Sequence, residues 1–450
     1  MKMIIFTLIW IVGVMPGLTG HLASAQDQLV SGEPWTLQDC ISYALEHNLT
    51  VQQSALAVEQ REISLNTARN SRLPGVAASA SQNFSFGRGL TADNTYANAN
   101  TTSTGFSLGA DMTLFNGLRI NNNIALSKLD LQAATQDLEK ARDDIRVAVA
   151  GAYMQIVYNQ EIAAVAHRQV EIDSLQVERL RSMQQNGKAS QAEVAAQEAT
   201  LAQSRLTDVQ AQGNLQLARL DLAQLLELPT PEGFEVMVPA QRDPDQILLF
   251  SPEQIYEEAV GIKPVVQAEE TRLAYAERNI ALAKGGYLPS LSLNGGIGSN
   301  YYTSSNIPNS NFFTMLGNNF SQYVGLSLNI PIFSRMSNRN QVRSARVSYD
   351  QQQLQLENVK KQLFKEIQQA WYNAQTAQAK FESSRQAEAA AAQSFALTQA
   401  KYENGKASIT EFNESKNQYL KASSDLAQAR CEALYQAGLI DFYRGKEITL

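Results

Sequence analysis

Apolar residues fall at every seventh position through two long stretches of the chain, in the same phase in both. Ile124, Leu131, Leu138, Ile145 and Ala152 in the first correspond to Val342, Tyr349, Leu356, Leu363 and Ala370 in the second. A second stripe, Val149, Ile156, Ala163, Val170 and Val177, corresponds to Ile367, Ala374, Phe381, Glu388 and Phe395, with one polar exception at Glu388. Heptads sustained without proline predict coiled-coil helices over residues 118–185 and 336–403. At 1.5 Å per residue each is a rod about 100 Å long, over three times the thickness of a bilayer core.

The two stretches are copies. Asn186-Gly187-Lys188-Ala189-Ser190 returns unchanged as Asn404-Gly405-Lys406-Ala407-Ser408, 218 residues later, and Phe115 and Phe333 are separated by the same 218. Asn-Gly ends each rod, the glycine being free to take the left-handed conformation of a C-terminal cap. Ser190 and Ser408 then stand three residues before Glu193 and Glu411, so a capping box opens each return helix, over 190–226 and 408–440. Upstream the copies run at an offset of 215: Val51-Gln52 matches Val266-Gln267, and Leu73-Pro74 matches Leu288-Pro289. Each of these segments reads as a helix that its proline ends.

Between proline and rod, strict alternation replaces the heptad. Phe106, Leu108, Ala110, Met112 and Leu114 alternate with Ser107, Gly109, Asp111 and Thr113, and Val324, Leu326, Leu328 and Ile330 alternate with Gly325, Ser327 and Asn329. Strands are expected at about 76–86 and 104–114 in the first copy and at about 290–301 and 320–332 in the second. Such a pattern fits a half-buried sheet in a soluble sandwich. It also fits membrane strands, and their length of about 9 to 11 residues favours these. So do the aromatics at the strand ends, Phe84, Phe86, Phe106, Phe115, Tyr301, Tyr302, Phe320 and Phe333, placed as interfacial girdles. The lipid-facing set is then Phe106, Leu108, Ala110, Met112, Val324, Leu326, Leu328 and Ile330. Four strands cannot close a barrel, and open edges are not tolerated in lipid, so several chains must share one.

The domain plan is a signal peptide over 1–25, a first repeat over 26–227, a connection over 228–252 and a second repeat over 253–450. The signal rests on Lys2, an apolar run from Met3 to Leu18 and small residues at Ala23 and Ala25. Five prolines, at 229, 231, 239, 244 and 252, mark the connection. Without Lys2 the chain has 36 basic residues against 44 acidic, about −8 in all, which does not suit nucleic acid. Cys40 and Cys431 are read as a disulfide or, more in keeping with their isolation, as two separate buried thiols. His47 and His167 stand alone on helices, and the methionines do not cluster. No catalytic, cofactor or metal site emerges.

The order helix, Leu-Pro, strand, strand, aromatic, long helix, glycine tip, helix, taken twice, resembles the TolC-like outer membrane efflux proteins over residues 36 to 440. Val324-Gly325-Leu326-Ser327-Leu328-Asn329-Ile330-Pro331-Ile332-Phe333 is similar to the family's motif at the exit of the last strand, and Leu114-Phe115-Asn116-Gly117 to its counterpart in the first repeat. Thr113 stands where the second repeat has Pro331, a departure that implies a softer bend in the first half.

The resemblance implies a mainly α fold with a membrane β-barrel part: a homotrimer with a 12-stranded barrel in outer-membrane lipid, continued by a 12-helix periplasmic α-barrel. It implies a passive exit duct for drugs or other small molecules. An inner-membrane pump of the RND or ABC type would drive it through a periplasmic adaptor. A duct for type I protein secretion remains open, as does a secreted coiled-coil structural protein. The family's periplasmic gate maps onto Glu414, Glu411 and Glu193, the last two serving equally well as caps. Its adaptor-docking tips map onto Gly187, Lys188, Ala189, Gly405, Lys406 and Ala407.

Overall fold

The computed structural model describes residues 34–90, 95–98, 100–230, 234–238, 250–304 and 311–448. The signal peptide expected at 1–25 and much of the proline-rich connection lie outside them.

Each repeat opens with two helices where the sequence suggested one. In the first, α1 (Leu37–His47) gives way to α2 (Leu49–Asn70) at Asn48, whose side chain accepts the Thr50 N–H at 2.9 Å and so starts a new helix. The short strands β2 (Arg88–Leu90) and β3 (Tyr96–Asn98) form a ribbon after β1 (Gly75–Ser85), inside what read as a polar loop. Then come β4 (Thr101–Asn116), the rod α3 (Arg119–Gln185) and its return helix α4 (Gln191–Leu225). The second repeat follows with α5 (Pro252–Ile262), α6 (Pro264–Lys284), β5 (Ser290–Ser304), α7 (Phe312–Asn318), β6 (Ser321–Asn329), α8 (Ser337–Glu403) and α9 (Ile409–Tyr443). Pro264 starts α6 as Asn48 starts α2. The short α7 was also hidden in a polar loop; Asn311 caps it by accepting the Phe313 N–H at 3.0 Å.

The heptads sit where coiled-coil packing needs them. Ile124, Leu138, Ile145, Val149, Ile156, Ala163 and Val177 are buried on α3, and Val342, Leu356, Leu363, Ile367, Ala374 and Phe381 on α8. Near the middle of the rods, two equivalent clusters cover them. Tyr153, Val149 and Ile156 of α3 pack with Cys40, Ala44 and Leu222, and Ile367 and Ala374 of α8 pack with Ile255 and Val266. The connection joins the first cluster: Val236 pairs in parallel with Trp35, and the Tyr153 hydroxyl donates to the Met237 carbonyl. Cys40 and Cys431 are both buried free thiols, each pushed up to about 12 by burial, so the disulfide reading is set aside.

Helices α2, α3, α6 and α8 lie side by side in that order on the sheet side, and α4, α3, α9 and α8 do so towards the tips. The sheet repeats this arrangement as β1, β4, β5, β6, all antiparallel. Among the described residues no helix is long and apolar enough to cross a membrane.

Candidate functional site

The strand register sorts the sheet into two chemically distinct faces, because residues directly opposite in an antiparallel pair share a face. Ala78, Leu108 and Ile297 form one row, which Gln322 ends; Val76, Ala110, Gly295 and Val324 form another; Met112, Leu293 and Leu326 form a third. The alternate rows read Ser79, Ser107, Gly298 and Ser81, Gly105, Asn300, and the hydroxyls of Ser79 and Ser107 lie 2.7 Å apart. One face is mainly hydrocarbon, with Gln82, Thr104, Ser299 and Gln322 towards one end of the strands, and the other is mainly hydroxyl, amide and glycine. A strand of a membrane barrel, with lipid on one side and an aqueous lumen on the other, has this division of faces.

Seven of the eight residues expected to face lipid, Phe106, Leu108, Ala110, Met112, Val324, Leu326 and Leu328, are on the apolar face. Ile330 lies beyond the end of β6. That strand stops at Asn329, two residues short of Pro331, which has no N–H to offer a ladder. In the first repeat Thr113 permits continuation, and β4 runs to Asn116 through a bulge between Thr113 and Phe115. The bulge corrects one assignment: Leu114 drops out of the alternation, and Phe115 takes the apolar position opposite Leu291.

Strand turns into rod through left-handed residues, Gly117 and Leu118 in the first repeat and Arg335 and Met336 in the second. The Asn116 side chain accepts the Ile120 N–H at 3.1 Å, and the Ser334 hydroxyl accepts the Asn338 N–H at 3.4 Å. Each compensates one of the unpaired amides of a helix start.

At the other end the two tips are nearly the same. Gly187 and Gly405 take φ of +71° and +72°. The Lys188 N–H reaches the Met183 carbonyl and the Lys406 N–H the Lys401 carbonyl, both at 2.8 Å, while Gly187 and Gly405 bond one residue further along, to Gln184 and Tyr402. These are paired Schellman turns. Lys188 and Lys406 project into solvent and Ala189 and Ala407 are half-buried.

Glu193 accepts the Ser190 N–H at 2.6 Å and Glu411 accepts the Ser408 N–H at 2.7 Å, while each glutamate N–H returns to the serine hydroxyl at 3.2 Å. The backbone and hydroxyl bonds from these serines hold both carboxyls below their ordinary value. Glu414 differs. It is exposed, with no hydrogen bond or ion pair among the described residues, and lies on the same side of α9 as Glu411, three residues on. The structure therefore separates one uncommitted carboxylate from two engaged in capping.

A buried polar cluster that the heptad reading did not anticipate lies just above the tips. Asp173 of α3 and Lys416 of α9 are fully buried and ion-paired. Asp173 also accepts from Ser204 at 2.5 Å and from Gln197 at 3.3 Å, both on α4, and Gln197 accepts from Asn413 at 3.2 Å. The signal was there to be followed: continuing the first stripe by sevens from Ala152 reaches Asn159, Ala166, Asp173 and Leu180. A carboxylate at a heptad core position requires a partner.

A sheet with one mainly apolar face, carried on rods that end in polar turns, is the architecture of an outer-membrane channel protein. The chain belongs to the outer membrane efflux protein family, whose profile matches residues 40–227 and 255–437, one stretch in each repeat. It is thus an efflux channel of the outer membrane of a Gram-negative cell, extending into the periplasm. Outer membrane efflux protein BepC of Brucella suis biovar 1 (strain 1330) is 23% identical over 364 residues, covering 79% of this chain and 73% of BepC. The fold matches the Campylobacter jejuni CmeC outer membrane channel with a TM-score of 0.75 at 18% identity, over 92% of this chain and 87% of that one. The open state of the Neisseria gonorrhoeae MtrE outer membrane channel gives 0.73 at 19% identity, over 91% and 88%.

Proposed function

We propose that three copies of this chain close one barrel and one tunnel, and that the tunnel is the passive exit duct of a tripartite exporter. Its cargo is drugs or other small molecules, moved by an inner-membrane pump through a periplasmic adaptor that docks on the Gly187 and Gly405 turns.

The observation that carries the reading is a pair of matching open edges. Among the described residues β1 and β6 each have one unpaired edge, and the helices beneath them, α2 and α8, are the outer members of their row. Both helices expose apolar residues at heptad spacing on the free side: Leu49, Leu56 and Ile63 on α2, and Val347 and Leu354 on α8, all more than half exposed. Stripes seven residues apart on two helices are the two halves of a coiled-coil seam. A second copy offers α2 to α8 and β1 to β6 in one step, and three copies supply the 12 strands of a closed barrel.

Mass measurement in detergent is expected to show a trimer. A monodisperse monomer that retains its strands would rule the ring out. In that ring Glu414 occurs three times near the tips, and carboxylates crowded in a narrow mouth concentrate negative potential on the permeating path. Planar-bilayer recordings of Glu414→Ala are expected to show weaker cation selectivity and weaker block by multivalent cations. Glu193→Ala and Glu411→Ala, which remove caps, should leave selectivity nearly intact. Unchanged selectivity in Glu414→Ala would place the constriction elsewhere along the tunnel.

A further inference from the structure

Charge is distributed unevenly about the sheet. The chain has a net charge of −7, yet the four segments that join the sheet to the rods, 63–74, 116–129, 278–290 and 329–349, hold ten basic residues and no acidic one. All ten are exposed, and among the described residues none is in an ion pair. At the far end of the sheet, residues 86–105 hold one arginine and one aspartate, and residues 298–322 hold no charge. The excess belongs to the end from which the rods extend into the periplasm.

The heptads give these residues a side. Arg343 stands three and four heptads before Phe364 and Trp371, of which the first meets Tyr256 of α5 and the second donates to the Phe250 carbonyl at 2.9 Å. Arg346 stands three heptads before Ile367, which packs with Ile255 of α5. Arg339 and Lys284 repeat the positions of Lys360 and Glu270, ion-paired at 2.8 Å. By the repeat offsets Arg69 corresponds to Lys284 and Lys128 to Arg346. The opposite face of α2, α3, α6 and α8 is concave, and residues of all four, among them Arg61, Asp130, Arg272 and Ser348, line one cavity there of about 660 Å³. The basic residues therefore form a belt on the convex side. At 1.5 Å per residue, Lys128, Arg339, Arg343 and Arg346 lie within about 15 Å of the sheet end of their rods. Side chains on α3 and α8 lean towards the helix N-terminus, which is towards the sheet, and long cationic stems lie along apolar surface to reach a boundary above them.

The surface between belt and strands is apolar. Leu73, Leu118, Leu288, Ile332 and Phe333 are all exposed, the last two by 96% and 73%. A belt that met only water would have no use for them. Apolar and aromatic residues with cations just beyond are what the edge of a bilayer selects, where acyl chains give way to phosphates. On the periplasmic side of an outer membrane those phosphates belong to phospholipids.

We propose that the belt binds the headgroups of anionic phospholipids in the periplasmic leaflet and so fixes the depth at which the channel sits. This rests on the reading that the apolar face of the sheet meets lipid, and it does not require the three-copy ring.

Tryptophan quenching by brominated lipids, with the protein reconstituted in vesicles, tests the belt and that reading separately. Phe333→Trp reports the belt and Leu108→Trp the middle of the strands, each read against the protein without the added tryptophan. Dibrominated phosphatidylglycerol is expected to be preferred over dibrominated phosphatidylcholine at Phe333→Trp by about threefold or more. The preference should vanish when Arg339→Gln, Arg343→Gln and Arg346→Gln are combined. It should also fall with added salt in the protein that keeps these arginines, a readout that needs no such variant. Leu108→Trp should be quenched by both lipids alike. Quenching at Leu108→Trp with no preference at Phe333→Trp would overturn the belt as a lipid site and leave its charge to a soluble acidic partner. A preference that survives both the loss of the three arginines and salt would also overturn it, because something other than the belt then selects the lipid. Absence of quenching at Leu108→Trp would instead remove the membrane face, and the belt with it.

Discussion

Arginine in place of Leu108 is expected to abolish assembly into the outer membrane, whereas arginine in place of the adjacent Ser107 should be tolerated. Leu108 lies in one row with Ala78 and Ile297, near the middle of β4 and on the apolar face. A mid-membrane arginine on a lipid face costs about 2 to 4 kcal/mol, and a trimer incurs it three times. That total is comparable with the whole stability of an ordinary domain. Ser107 is on the opposite face, beside the Ser79 hydroxyl and across from Gly298, where an arginine can reach water. Fractionation of outer membranes from cells producing each variant decides the matter. Equal loss of both proteins would mean that parity does not set the environment, and equal retention that the apolar face does not meet lipid.

That contrast was readable from one strand, because a period of two assigns every residue to a face once a single residue is placed. The rods were equally legible, since heptads over so long a stretch leave few alternatives. A periodic pattern does not carry whatever interrupts the period. Leu114 looks like the next member of the alternation, but the bulge beside it is set by the pairing of β4 with β5, which local pattern does not encode. The break at Asn48 lies inside a helical pattern, and only its cap, made with the Thr50 amide, marks the new start. The strands β2 and β3 and the helix α7 are too short for any period to show. Asp173 failed to stand out because one carboxylate in a polar-rich helix looks like surface; counting on from Ala152 exposes it, but its partner Lys416 is 243 residues away. At the tips the Asn-Gly turns and the capping boxes were legible, and the roles of the three glutamates were left open. The capping bonds of Glu193 and Glu411, and their absence at Glu414, separate them.

The second large effect is expected at the joint between sheet and tunnel, where Gly117→Ala should destabilise the protein far more than the equivalent change in the other repeat. Gly117 has φ of +65°, and a left-handed conformation alone costs a non-glycine residue about 1 to 2 kcal/mol. That alone does not require glycine, since the equivalent position, 218 residues on, is Arg335 with φ of +49°. Close approach does require it. A Cβ on Gly117 would lie 2.3 Å from the Gly285 carbonyl oxygen and 2.9 Å from the Leu288 Cβ, and a Cβ on Gly285 would lie 2.6 Å from the Gly117 carbonyl oxygen. Neither oxygen belongs to a flexible side chain, so relief means moving the start of α3 away from the end of α6. Those two helices enter the tunnel wall side by side, and their separation there fixes how the sheet meets it. Thermal unfolding of Gly117→Ala should report a loss on the order of 3 kcal/mol, with fewer assembled channels recovered from membranes. Arg335→Ala should stay within about 0.5 kcal/mol of the unaltered protein. Comparable small losses for both would show that the Gly285 carbonyl yields to a methyl group, and that the left-handed turn, not the contact between backbones, sets the geometry of the joint.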